Sequence, residues 1–207
     1  LRMAGGFPQP RSVAVFGAAG GVGSAALQLA ALRKWRAIAV VSSDERREFA
    51  LSQGATHVVN RVAKDVVDGI LDCSEGKGVD LLLDVASGAT LPSLFRALAP
   101  MGVVVSYGFL EGEPATTTAA SMRRAFAASP GWRLFSMHAL DAQAALRREV
   151  MLGVISAFEQ GAIRPPIHAT FPLHQAQIAH QTFERGGLSG KIILSVEPEG
   201  RHVDHSR

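Results

Sequence analysis

Cysteine is almost missing from this chain: Cys73 is the only one in 207 residues. A lone thiol excludes an internal disulfide framework and any cluster of cysteine metal ligands. Aromatic residues are also scarce, at 6%, with Tyr107 the one tyrosine. Charged residues make up 19%, and the net charge is only +3 with histidine neutral. The arginines are scattered and not interleaved with aromatics, which argues against a nucleic-acid footprint. No apolar run approaches the roughly 18–20 residues that a membrane span needs. At 47% hydrophobic, the chain has material for a core and too much of it for intrinsic disorder. These exclusions leave a soluble intracellular protein, expected in the cytoplasm. The chain opens on Leu1, not Met, and shows no secretory signal pattern. Residues 1–11 read as a linker, residues 198–207 as a polar tail, and the whole as the later part of something longer.

What is present is a regular alternation. Short, nearly continuous apolar runs predict strands at residues 12–16, 37–41, 57–60, 81–85, 103–107 and 132–136. Between and after them, helical spacing covers 22–32, 44–53, 65–73, 90–98, 121–128 and 141–160. In the last of these Leu146, Val150, Val154 and Phe158 form one stripe. A helix at 173–185 then sits between extended segments at 167–171 and 191–195. Strands apolar throughout, not alternating, suit parallel strands covered on both faces. With right-handed crossovers the expected fold is α/β: a doubly wound parallel Rossmann sheet in three α/β/α layers.

The strongest chemical signal is Gly17-Ala18-Ala19-Gly20-Gly21-Val22-Gly23, placed between the first strand and the first helix. Glycines there permit a tight turn and close approach of backbone to a pyrophosphate, and the helix start offers free N–H groups and a positive dipole end. A P-loop is excluded, because neither Gly76-Lys77 nor Gly190-Lys191 is followed by serine or threonine. The second strand ends Val40-Val41-Ser42-Ser43, without the acid that usually grips the ribose of NAD. Serines, with Arg46 on the next helix and Arg61 after the third strand, suit a 2′-phosphate instead. NADP is therefore the expected cofactor, with Asp44 as a ribose ligand for NAD the alternative.

The strings SVAVFGAAGGVGSAALQLA, VVSS, LSQGATHVVN, GVDLLLDVASG, APMGVVVSYG and GLSGKIILSV, in this order, resemble the medium-chain dehydrogenase/reductases. The branch they look most like is the zinc-independent quinone oxidoreductase and enoyl reductase group. The resemblance implies a dinucleotide-binding domain at 12–163. It also implies a segment at 164–197 that returns to a catalytic domain of about 100–130 residues, which family members carry ahead of this point. Ala18, Ala19, Gly20, Gly21 and Val22 would hold the pyrophosphate, and Ser43 and Arg46 the 2′-phosphate. Arg61 stands where relatives often have tyrosine. Val85 and Ala86 would edge the nicotinamide pocket, with Tyr107, Gly108, Phe109 and Phe135 around the ring and Lys191 approaching the cofactor. The implied reaction is hydride transfer from NADPH to a quinone, enone or enoyl substrate, a small molecule. The implied assembly is a homodimer, and this chain alone is expected to be inactive. A non-catalytic NADP-binding module and a zinc alcohol dehydrogenase domain are the alternatives.

No catalytic side chain and no metal site are assigned. The seven histidines (57, 138, 168, 174, 180, 202 and 205) lack ligand spacing. Ser106 lacks a nucleophile elbow. Tyr107 reads as an aromatic flanking the cofactor, since Glu111 occupies the position where a Tyr-x-x-x-Lys pair needs lysine.

Overall fold

The computed structural model describes residues 10–196. The polar tail and all but the last two residues of the leading linker lie outside them. The apolar runs form β1 (Ser12–Phe16), β2 (Arg36–Val41), β3 (His57–Asn60), β4 (Val79–Asp84), β5 (Leu98–Ser106) and β6 (Gly131–Leu134). They make one sheet, parallel throughout, in the order β3-β2-β1-β4-β5-β6. The connections carry α1 (Gly21–Leu32), α2 (Glu45–Ser52), α3 (Val66–Cys73), α4 (Leu91–Leu94) and α5 (Thr118–Arg124). This is the expected doubly wound Rossmann arrangement. Its strand order reverses between β1 and β4, where a crevice opens at the carboxyl ends of the strands.

The sheet is held by two apolar layers, because consecutive strand side chains point to opposite faces. Ala14, Phe16, Ile38, Val40 and Leu82 face one way and pack with Ile70 of α3 and Leu91 and Leu94 of α4. Val13, Val15, Ala37, Ala39 and Leu81 face the other, against Ala26, Leu27 and Ala30 of α1 and Ala50 of α2. Each fully buried large side chain contributes about 1.5–3 kcal/mol. Small residues on α1 let that helix lie close to the strands.

Several elements depart from expectation. The helix expected at 90–98 is one α turn followed by a 3-10 turn at Phe95–Ala97, because Leu98 already belongs to β5 and pairs with Val79. β6 ends at Leu134, and a 3-10 turn (Met137–Leu140) follows it. The long helix α6 (Ala144–Glu159) has no fully buried residue. Of its expected core stripe, Leu146 and Val150 are half-buried while Val154 and Phe158 are exposed. Among the described residues α6 packs chiefly on that 3-10 turn.

The remaining strands, β7 (Ile167–Pro172) and β8 (Lys191–Ser195), pair in parallel with each other in a separate sheet, joined by α7 (Ala176–Arg185). Hydrogen bonds tie this segment to α1 and to the turn after β1. The Gln28 amide donates to the Arg164 carbonyl at 2.8 Å and accepts from the Arg164 N–H at 2.7 Å. The Gly190 N–H donates to the Ala19 carbonyl at 2.8 Å.

Candidate functional site

The site begins where β1 runs out. Gly17 adopts a left-handed conformation (φ 61°), and its carbonyl accepts from the Gly20 N–H at 2.9 Å, closing the turn. A side chain at Gly23 would strike the Gly17 carbonyl and come within 2.6 Å of the Ala18 Cα, so only glycine lets α1 dock on the turn it follows. The N-cap of α1 is Gly20, and no side chain caps the helix. Its first N–H groups therefore lack intrahelical acceptors and keep the positive end of the helix dipole available to an anion. Lys191, arriving with β8, lays its side chain against Gly21, where a Cβ would sit 2.9 Å from Nζ. A Cβ at Gly21 would meet only this flexible side chain, and open amides with an ammonium beside them have the chemistry to fit a diphosphate.

The turn forms one wall of a crevice of about 590 Å3, within the usual range for small-molecule and cofactor sites. Of the residues expected at the site, Ala18, Ala19, Gly20, Gly21, Val22, Arg46, Arg61, Val85, Ala86, Tyr107 and Lys191 line this crevice together. Ser43, Gly108, Phe109 and Phe135 are not among its lining residues. Phe109 is exposed, and Phe135 packs against the core layer on the α1 side. Ser42 lines the crevice beside Arg46 and accepts from its Nη1 at 2.8 Å. Asp44 is the N-cap of α2 and accepts from the Asn60 amide at 3.2 Å, outside the crevice lining.

Sequence reasoning missed Leu110, Glu111, Phe183 and the 186–188 segment, all of which line the crevice. Glu111 is the consequential one. Its carboxylate pairs with Arg61 at 2.7 Å and accepts from the Thr90 hydroxyl at 3.2 Å. No local motif marks it. Only the fold-back of the loop after β5 brings it to Arg61.

The opposite end of the crevice rests on Asp84, which is fully buried at the end of β4. Its carboxylate accepts from the N–H groups of Ala86 (2.9 Å) and Ser87 (3.0 Å) and from the Ser106 hydroxyl at 2.9 Å. Ser106 in turn accepts from the Trp132 indole N–H at 3.1 Å. A buried carboxylate needs such partners, and here they fix the 85–88 loop in place. Burial, reinforced by the nearby Asp84 charge, pushes the Tyr107 phenol up to about 12. Among the described residues, no group of three or more His, Cys, Asp or Glu side chains is placed to hold a metal ion. No described helix is long and apolar enough to cross a membrane.

A parallel sheet of this order, with an uncapped glycine turn opening its first helix at the switch point, defines a Rossmann-type nucleotide-binding domain. Comparison with known proteins narrows the class. Residues 21–145, more than half of the chain, match the zinc-binding dehydrogenase family. The chain belongs to that family, within the medium-chain dehydrogenase/reductase superfamily of oxidoreductases. It is 30% identical over 206 residues to the synaptic vesicle membrane protein VAT-1 homolog of Danio rerio, covering 91% of this chain and 41% of the relative. It is 30% identical over 188 residues to the quinone oxidoreductase of Rattus norvegicus, covering 88% of this chain and 54% of the relative. The chain thus spans about half the length of the curated relatives it matches. In fold it resembles the Escherichia coli quinone oxidoreductase solved in complex with NADPH. The TM-score is 0.80 at 24% identity, over 89% of this chain and 56% of that one.

Proposed function

We propose that this chain is the NADP-binding domain of an oxidoreductase that moves a hydride from NADPH to a quinone, an enone or an enoyl compound. The observation that carries the reading is the uncapped glycine turn, with Arg46 and Arg61 and no acid at the end of β2 lining the same crevice. Backbone amides from Ala18 to Val22, assisted by the Lys191 ammonium, hold the diphosphate. Ser42 and Arg46, with Ser43 and Arg61 beside them, meet the 2′-phosphate. Val85, Ala86 and Tyr107 form the apolar wall for the nicotinamide, while Gly108, Phe109 and Phe135 support that wall. Bound there, the nicotinamide supplies the hydride, and the protein's part is orientation and exclusion of water. In this reading residues 12–163 are the cofactor domain and residues 164–197 return toward a catalytic domain. The whole protein works in the cytoplasm as a homodimer.

Fluorescence titration of the chain with NADPH and NADH tests the reading. NADPH should bind more tightly. Arg46→Ala should weaken NADPH about tenfold, the order expected for a lost charge-assisted contact, and leave NADH unchanged. Tighter binding of NADH would overturn the NADP assignment, and binding of neither would overturn the dinucleotide reading.

A further inference from the structure

The Arg61–Glu111 ion pair joins the two halves of the sheet across the crevice. Arg61 is anchored on one side, its N–H donating to the Val41 carbonyl at the end of β2 at 2.9 Å. Glu111 is anchored on the other, its N–H donating to the Ala86 carbonyl just past β4 at 2.8 Å. β2 and β4 flank β1, so their ends stand about 10 Å apart, two strand spacings. The two side chains bridge that interval beside the end of β1, where the glycine turn starts. The loop carrying Glu111 is stitched to the 85–88 loop by three further main-chain bonds: Leu110 N–H to the Val85 carbonyl at 3.1 Å, Gly88 N–H to the Gly112 carbonyl at 3.1 Å and Ala115 N–H to the Gly88 carbonyl at 3.3 Å. Thr90 holds the second carboxylate oxygen. Glu111 is thus held in a position from which it occupies one of the two guanidinium groups at the adenosine end.

We propose that Glu111 is a specificity-determining residue that competes with the 2′-phosphate of NADP for Arg61. On this proposal, which rests on the NADP reading above, binding of NADP exchanges the Arg61–Glu111 pair for an Arg61–phosphate pair. Binding of NAD leaves the pair intact. Glu111 therefore narrows the preference for NADP that the two arginines create. Without it the 2′-phosphate would meet both guanidinium groups unengaged by acid.

The test is a titration of wild type, Glu111→Gln, Arg61→Ala and the double variant with NADPH and NADH, and with 2′,5′-ADP and 5′-ADP as probes of the adenosine end alone. Both side chains are partly exposed, at 45% for Arg61 and 34% for Glu111, and such ion pairs are modest. Glu111→Gln should accordingly tighten NADPH and 2′,5′-ADP about two- to fivefold and leave NADH and 5′-ADP unchanged. The glutamine keeps the shape and the hydrogen bond to Thr90. In the Arg61→Ala background the gain should vanish. An unchanged NADPH-to-NADH ratio in Glu111→Gln, weaker NADPH binding, or a gain that survives Arg61→Ala would each overturn the proposal and leave the NADP reading standing. Failure of wild type to bind either dinucleotide would overturn both.

Discussion

Helices α1 and α3 leave the same sheet, yet they treat their first amides in opposite ways. Asp65 closes the start of α3, its carboxylate accepting from the N–H groups of Val67 and Asp68. Gly20 stands at the same position of α1 with nothing to offer, and the first turn of α1 contains no acid. Every helix begins with N–H groups that lack partners. One of these helices answers that need from its own sequence, and the other leaves it to whatever enters the crevice. α2, α4, α5, α6 and α7 also begin without a side-chain cap, so what sets α1 apart is the glycine turn that leads into it at the crevice, and the comparison can be attacked at three positions.

The largest effect is expected where α1 meets its turn. Gly23→Val places a branched side chain against the Gly17 carbonyl and the Ala18 Cα. It should cost about 3 kcal/mol or more in urea unfolding, because backbone and not a flexible side chain must give way. Next comes an exchange of character between the helices. Gly20→Asp would give α1 the cap that α3 has. Its Cβ would lie 3.2 Å from the Gly17 carbonyl oxygen, so the turn must give by a few tenths of an ångström, which offsets what the cap contributes. Stability should move by less than about 1 kcal/mol. The new carboxylate would repel a diphosphate, so affinity for NADPH and NADH should both fall by at least about 100-fold. Retained affinity would show that the amides of α1 are not the anion site. The smallest effect is the reverse change: Asp65→Ala should cost about 1 kcal/mol of stability, the usual worth of an N-cap, and leave dinucleotide titrations untouched.

Both helix starts were readable in advance, for different reasons. Asp65 before an apolar run is a local capping signal, and the glycine cluster between a strand and a helix is a local turn signal. The sheet was equally legible, since six apolar runs in alternation with helices leave few parallel topologies open. The errors arose where tertiary pairing decides. The start of β5 contains Pro100 and the positive-φ Met101, which look like a loop until Leu98 pairs with Val79. The stripe on α6 is well formed in sequence, but helical periodicity says nothing about whether a partner surface lies beside it. In the crevice, Arg61 was visible as a basic residue after β3. Its acidic partner lies 50 residues away in a loop without a motif. Ser42 and Ser43 were indistinguishable by composition, and only the folded backbone shows that Ser42 is the one that bonds Arg46 and lines the crevice.

The contact between Gly190 and Ala19 joins the last strand to the first turn. The six strands of the main sheet end at Leu134, and Lys191 lies 57 residues further along the chain, yet its side chain lies against Gly21. The crevice therefore takes one wall from the sheet and another from a segment that pairs in a different sheet, so a change that loosens β7 or β8 would open the crevice without touching the strands that form its floor.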